Sequence, residues 1–168
     1  GRFLELKNLH RIIQSFTALE QNGDWGLILV GDGPEKAAIL EQYKNLKNLN
    51  FIPAQEWYEV PKRLVLADIL ILASTSEAWG LVANEAMLCG MPVIVSNQSG
   101  CSLDLVKNNV NGFTFDAYDE EKLKTHMQFF VTYPDKVEPF GEASKNIIAD
   151  FSPENVAKEM FKGYQKVR

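Results

Sequence analysis

The chain has 168 residues, 46% of them hydrophobic and 23% charged, which is enough apolar material for one core of ordinary domain size. Its formal net charge of -5 argues against a nucleic-acid partner, because proteins that follow phosphate backbones carry a basic excess. Two cysteines are too few for a disulfide-stapled secreted domain, and no apolar run approaches the roughly 18 residues that span a bilayer. We therefore expect a single cytoplasmic domain.

The hydrophobic pattern alternates between helical spacing and short continuous apolar runs, which predicts helices and buried strands in turn. In the first part of the chain these are a helix over residues 9–19, a strand at Leu27–Val30, a helix over 35–46, a short strand at 51–52 and a mixed helical segment over 56–67. They continue with a buried strand over 69–72, a helix at Leu81–Leu88, a strand over 92–95, a helical turn over 103–106 before the stretch Gly112–Phe115, and two or three helices over 119–168.

Proline and glycine punctuate this pattern. Asn22-Gly23-Asp24 predicts a turn, and Pro34 suits the first turn of a helix, where a missing N–H costs little. Pro61 is expected to interrupt the mixed helical segment, and Ser152-Pro153-Glu154 to open the last helix.

Short apolar strands that alternate with amphipathic helices predict a parallel sheet covered on both faces, since continuous apolar strands need cover on each side. The predicted fold class is α/β, a doubly wound, Rossmann-like sheet. Ligands of such sheets bind at the carboxyl ends of the strands. The loops that begin near Gly1, Gly31, Pro53, Ala73 and Ser96 are therefore the candidates for a binding site.

The loop over residues 73–80 runs from a buried strand into the helix Leu81–Leu88. A helix N-terminus presents free N–H groups and a partial positive charge, and Gly80 would let an anion approach them closely. The loop is thus a candidate phosphate seat, and Gly80→Val is expected to block it while leaving the fold intact. The alternative is that Ser76 or Glu77 merely caps the helix.

Charged residues surround this candidate seat. Glu77 and Glu85, with seven residues between them, stand on either side of it, and a carboxylate can accept two hydroxyl hydrogen bonds. Arg2 and Lys7 could neutralise a diphosphate, Arg by a planar fork and Lys as a point charge. Each residue taken singly is better explained as a solvated surface side chain or a helix cap, but together they suit a ligand with polyol on both sides of a diphosphate, the shape of a nucleotide sugar.

Four ordered motifs resemble those of family 4, or group 1, retaining glycosyltransferases of the GT-B type. The first is the E-x7-E region from Glu77 to Met87, which continues through Cys89-Gly90-Met91-Pro92. The others are Gly1-Arg2 with Lys7-Asn8, the stretch Val30-Gly31-Asp32-Gly33-Pro34, and Asn111-Gly112 before an apolar pair. The chain departs from the family where Cys101-Ser102-Leu103-Asp104 replaces the common Gly-Ile-Pro-Glu.

The resemblance implies that residues 1–168 are the nucleotide-sugar-binding C-terminal domain, without its first strand and without the N-terminal acceptor-binding domain. It places Glu77 against the donor sugar and Glu85 on the ribose hydroxyls. It implies that the donor diphosphate is bound by Arg2, Lys7 and the backbone N–H groups of Gly80, Leu81 and Val82. The base would rest near Ile52, Pro53 and Gln55, largely through backbone contacts.

The implied reaction is transfer of a sugar from a nucleoside diphosphate sugar, the substrate rather than a cofactor, to a glycan, lipid or small-molecule acceptor. No Asp-x-Asp motif and no Cys or His pair with ligand spacing is present, which predicts metal-independent chemistry. The resemblance also implies polysaccharide biosynthesis, in the cytoplasm or at the membrane periphery through the missing domain. The alternatives are a nucleotide-binding regulatory module without catalysis and, much less favoured, a dinucleotide oxidoreductase, whose third glycine is missing after Gly33.

Overall fold

A computed structural model describes residues 1–20 and 24–166. Within these residues the chain forms five strands: β1 (Leu27–Val30), β2 (Leu49–Ile52), β3 (Leu70–Leu72), β4 (Val93–Ser96) and β5 (Gly112–Phe115). It also forms eight α-helices: α1 (Leu9–Thr17), α2 (Lys36–Gln42), α3 (Val60–Leu64), α4 (Leu81–Leu88), α5 (Ser102–Leu105), α6 (Glu120–Thr132), α7 (Val137–Ile148) and α8 (Pro153–Lys166). Most of the turn predicted at 22–24, and the last two residues of the predicted C-terminal helices, lie outside the described residues.

The strands pair in parallel, as predicted, but in two ladders rather than one. One ladder joins β1 to β2, and the other has the order β3-β4-β5. Within the described part of the chain no backbone hydrogen bond joins β1 to β3. Instead, residues 1–3 run beside the carboxyl end of β1, where Arg2 forms a parallel bridge with Asp32 and the Phe3 amide donates to the Asp32 carbonyl at 2.7 Å.

Helices cover both faces of the three-stranded ladder. Successive side chains of β4 show this, because they pack alternately into two different cores. Ile94 packs into a core shared with α1 and α6, while Val93 and Val95 pack into a second core shared with α4. All three side chains are fully buried. The doubly wound α/β prediction is therefore confirmed, since neither face of β4 meets solvent.

Pro61 does not interrupt a helix, contrary to the sequence prediction. It lies in the first turn of α3, after a 3-10 turn at Trp57–Glu59, where its missing N–H removes no helical hydrogen bond. α3 packs against α4, which brings the chain after β2 alongside the helix that carries the candidate phosphate seat. None of the helices in the described residues combines the length and apolarity needed to cross a bilayer.

Candidate functional site

Gly80 forms the entrance to α4. Its backbone is in the left-handed region, with φ 100° and ψ 60°, and a Cβ there would lie 2.6 Å from Cδ2 of Leu72. Both the conformation and the space favour glycine. Valine at this position is strained before any ligand arrives, so Gly80→Val should cost stability as well as block the seat.

The first turn of α4 leaves backbone donors uncommitted. The Ala83 amide donates to the Gly80 carbonyl at 2.8 Å, whereas within the described residues the amides of Leu81 and Val82 have no backbone acceptor. Leu81 is exposed, and Val82 is partly buried. Two of the three amides that the resemblance assigns to a diphosphate are thus without a backbone partner in the described residues.

The loop before α4 lies as an extended segment against the loop that follows β4. The Glu77 amide donates to the Gln98 carbonyl at 3.2 Å, and the Gly100 amide returns a bond to the Glu77 carbonyl at 3.0 Å. A Cβ on Gly100 would lie 2.2 Å from the Ala78 carbonyl oxygen, so glycine permits this close approach. The stretch that departs from the family pattern follows at Cys101 and continues into α5, which has Asp104 in its first turn.

Lys7 and Glu77 meet at this edge as an ion pair between Nζ and Oε2. Their side chains are 26% and 20% exposed, so the pair is reachable from solvent. The Thr75 amide also donates to the Leu6 carbonyl at 2.8 Å. The family resemblance implies that Lys7 binds the diphosphate and that Glu77 contacts the sugar. In the structure these two residues are in direct contact.

Asn8 holds the segment with Lys7 in place. It has left-handed φ of 58°, and its Nδ2 donates to the carbonyls of Ala73 and Ala117 at 3.2 and 2.8 Å. These two acceptors follow β3 and β5, so one amide ties the N-terminal segment across the carboxyl edge of the ladder. Asn8 belongs to one of the four sequence motifs, but this role was not predictable, because nothing local to residue 8 reveals acceptors so far along the chain.

Arg2 and Glu85 are both exposed. Neither side chain forms an ion pair within the described residues. Gly1, next to Arg2, is within electrostatic range of both Lys7 and Glu85. Lys7 and Glu77 are thus in contact near the entrance of α4, Glu85 lies in that helix, and Arg2 follows Gly1 in the chain.

The segment predicted to hold the base already uses part of its backbone. The Ile52 carbonyl accepts from the Gly31 amide at 2.9 Å, and the Pro53 carbonyl accepts from the side chain of Gln55 at 2.8 Å. Arg63 in turn donates to Oε1 of Gln55 at 3.1 Å. These bonds fix the segment, and its role in base binding remains a prediction.

A family model described as "Glycosyl transferases group 1" matches residues 1–147. The chain belongs to this glycosyltransferase family. Over 122 residues, this group 1 chain is 32% identical to the N-acetyl-alpha-D-glucosaminyl L-malate synthase of Bacillus anthracis. That match covers 71% of the chain and 31% of the relative, so the chain spans about a third of the relative's length.

Two solved structures share the fold of the group 1 chain. HepE of Anabaena, in complex with UDP, superposes with a TM-score of 0.84 at 21% identity, over 99% of this chain and 47% of HepE. The C-terminal domain of a group 1 glycosyl transferase, LpcC of Francisella tularensis, superposes with a TM-score of 0.77 at 19% identity, over 89% of this chain and 81% of that domain. The fold is the Rossmann-like half of a GT-B glycosyltransferase.

The candidate site of this group 1 domain reaches the surface, where Leu81 and Glu85 are exposed. One cavity of about 100 Å³ lies between Glu5, His10 of α1 and Glu35, and another of about 230 Å³ is lined by Phe16 and Leu46. Neither of these cavities includes Glu77, Gly80 or Glu85. The chemistry of the loops, rather than enclosure, identifies the site.

The described residues of the group 1 domain include two free cysteines, Cys89 and Cys101. No group of three His, Cys, Asp or Glu side chains there could hold a metal ion. Burial raises the pKa of the Cys101 thiol to about 11, and burial together with Glu85 raises the pKa of Cys89. Both thiols are therefore poor nucleophiles near neutral pH.

Proposed function

We propose that this chain is the donor-binding domain of a retaining glycosyltransferase that uses a nucleoside diphosphate sugar. The observation that carries the proposal is the meeting of Lys7 and Glu77 beside the free amides of Leu81 and Val82. A cation and two backbone donors suit a diphosphate, and a partly exposed carboxylate suits sugar hydroxyls. The crystal structure of HepE holds UDP, which supports a uridine or related nucleotide here.

The proposed donor lies across the entrance of α4. Its diphosphate faces the amides at Gly80, Leu81 and Val82, where the dipole of α4 favours negative charge. Arg2 and Lys7 add positive charge from the N-terminal segment, and Glu85 accepts the ribose hydroxyls from the next turn of the helix. The base occupies the segment formed by Ile52, Pro53 and Gln55.

In the proposed reaction the bond between the sugar's anomeric carbon and the diphosphate oxygen breaks with its electron pair on the diphosphate. The acceptor oxygen forms the new bond on the same face of the sugar, and its proton passes to a phosphate oxygen of the leaving group. Arg2, Lys7 and the α4 amides stabilise the charge that develops on the diphosphate, which is electrostatic catalysis without a metal. Glu77 positions the sugar and does not attack it.

The acceptor, a glycan, lipid or small molecule, would bind in an N-terminal domain of the same polypeptide that faces this open surface. The relatives are longer than the chain, which leaves room for such a domain. Membership in a glycosyltransferase family favours this function over that of a regulatory nucleotide-binding module. A cytoplasmic location and a role in polysaccharide synthesis belong to the same proposal.

The ribose assignment is tested by comparing two ligands. Glu85→Ala should weaken binding of UDP or GDP by roughly tenfold or more, because a hydrogen bond to a charged group is worth about 1.5 to 3 kcal/mol. Binding of inorganic pyrophosphate, which has no ribose, should hardly change. Arg2→Ala should weaken both ligands. Calorimetry on each variant gives the affinities.

Glu154→Ala is the matched control, because Glu154 is an exposed carboxylate in the first turn of α8. It should bind both ligands like the wild type. Equal losses of UDP and pyrophosphate in the Glu85 variant would contradict the ribose assignment. Failure of the wild-type chain to bind any nucleoside diphosphate would remove the donor site itself.

A further inference from the structure

A single side-chain hydrogen bond spans the entrance of α4. Nε1 of Trp79 donates to Oδ1 of Asn84 at 2.9 Å. Trp79 immediately precedes Gly80, and Asn84 immediately precedes Glu85. The bond therefore joins the loop that carries Glu77 to the second turn of the helix that carries the free amides.

Trp79 is fixed at three points. Its ring packs against the core formed in part by Ala83, Ala86 and Met87. Its carbonyl accepts from the Cys101 amide at 3.0 Å, and its indole N–H reaches Asn84. An indole that is partly buried needs an acceptor for its N–H, and Asn84 supplies it from within the helix.

Asn84 is out of place by helix propensity alone. It interrupts the apolar run that opens α4, and asparagine is less favourable inside a helix than alanine or leucine. Its side chain is half-buried and has the Trp79 indole as its hydrogen-bond partner. The residue is thus explained by the bond that it accepts rather than by the stability of the helix.

We infer that the Trp79–Asn84 hydrogen bond is a positioning device for the anion seat, and this inference rests on the proposed function. Gly80 lies in the chain between Trp79 and Asn84 and has a left-handed backbone conformation. Because glycine can adopt many backbone conformations, Gly80 alone would not hold this one. The bond restricts this freedom by holding the residues on both sides of Gly80 in register. It thereby keeps the amides of Leu81 and Val82 aimed at one point before a diphosphate arrives. In this role neither Trp79 nor Asn84 needs to contact the donor.

The test combines a double-mutant cycle with two readouts. Trp79→Phe keeps an aromatic ring but removes the N–H donor, and Asn84→Leu removes the acceptor at similar volume. Each single change should weaken pyrophosphate binding by about two- to tenfold, the range expected for one neutral hydrogen bond. The double variant should lose no more pyrophosphate affinity than the single variant with the larger loss, because both changes remove the same bond. Trp25→Phe and Asn146→Leu are the controls, since they remove a tryptophan and an asparagine elsewhere, and they should bind like the wild type.

The second readout follows the bond without any ligand. In ¹H–¹⁵N spectra the indole N–H resonance of Trp79 should shift and exchange faster with solvent in Asn84→Leu, while the indole resonances of Trp25 and Trp57 should stay in place. A variant cycle in which the losses of pyrophosphate affinity simply add would overturn the inference, as would single variants that bind like the wild type. If the wild-type chain itself binds neither pyrophosphate nor UDP, the donor site and the inference fall together, whereas normal wild-type binding with unaffected variants removes the inference alone.

Discussion

Gly80 limits what can replace it, through its backbone as well as its surroundings. Gly80→Ala should lower the free energy of unfolding by about 1 to 3 kcal/mol, because alanine is strained in the left-handed conformation and its Cβ meets Leu72. Urea unfolding of the two proteins measures the difference.

Gly163→Ala provides the control for that measurement. Gly163 lies in α8, and a Cβ there meets nothing within 4 Å. Alanine should therefore be neutral or stabilise the chain by up to about 1 kcal/mol through helix propensity. Equal stability of the two alanine variants would contradict the strained geometry at the entrance of α4.

His126 is a buried core residue whose protonation makes the stability of the fold depend on pH. The ring is 8% exposed and stacks on Phe113 with centroids 4.5 Å apart. Its Nε2 has no hydrogen-bond partner among the described residues. Burial lowers the pKa of His126, and Lys122 lowers it further, while the Thr114 backbone and Asp119 oppose the shift.

The folded protein therefore favours neutral His126. Its contribution to stability is fully present above the unfolded pKa of about 6.5 and is lost as the pH falls through that value, because only the unfolded chain then binds the proton readily. His126→Phe, which keeps a ring beside Phe113, should lose less stability than the wild type between about pH 7.5 and about pH 5.5. Urea midpoints across this interval test the expectation, and parallel losses in both proteins would contradict it.

At the scale of elements, Asn111 ties α5 to β5 and α7. Its buried side chain accepts from the Lys107 amide at 2.7 Å and donates to the Leu105 carbonyl at 2.9 Å, with Ser144 of α7 at 3.5 Å. From the sequence, Asn111 was identified only as part of a family motif. Its position explains the asparagine, because one amide group can satisfy both a donor and an acceptor of the turn after α5.

Asn111→Ala should therefore destabilise the chain by about 2 to 4 kcal/mol, since it leaves buried backbone groups without partners. Asn146→Ala is the comparison, because Asn146 is exposed on α7. That change should stay within about 0.5 kcal/mol of the wild type. Denaturant unfolding of both variants decides the point, and a mild Asn111 variant would mean that the turn relaxes around the loss.

The pattern of apolar residues was sufficient to predict most elements and the doubly wound class. Strands such as β1 and β4 are continuous apolar runs, and this pattern depends only on local sequence. The division into two ladders was not predictable, because the sequence of one strand does not determine which other strand it pairs with. The same holds within the site: Gly80 and the α4 amides follow from the chain's local order, but Lys7 meets Glu77 across 70 positions of sequence.

At the scale of the whole molecule, the proposed donor site depends on the charges of Arg2 and Lys7 and on α4. Removal of divalent cations with EDTA should change the affinity of the chain for a nucleoside diphosphate by less than about twofold. Calorimetry with and without chelator measures this change. A tenfold loss on chelation, reversed by Mg²⁺ or Mn²⁺, would show that a metal carries charge assigned here to the protein.

The proposed division of the enzyme between two domains also predicts what this chain does alone. It should bind a nucleoside diphosphate weakly and transfer no sugar, because no second domain within these residues encloses the donor or presents an acceptor. Product analysis after incubation with UDP-sugars and potential acceptors tests the expectation. Robust transfer by these 168 residues would contradict the proposal that they are half of an enzyme.

The bridging contacts of Asn8 set the order in which the site can assemble during folding. Its side chain closes loops of 65 and 109 residues, and long loops close slowly and late because their ends must first find each other. Asn8 can reach both acceptors only once β3, β4 and β5 have assembled in that order. A nucleotide added to a refolding reaction would therefore leave the early phases unchanged and would slow unfolding, since it recognises only the finished edge.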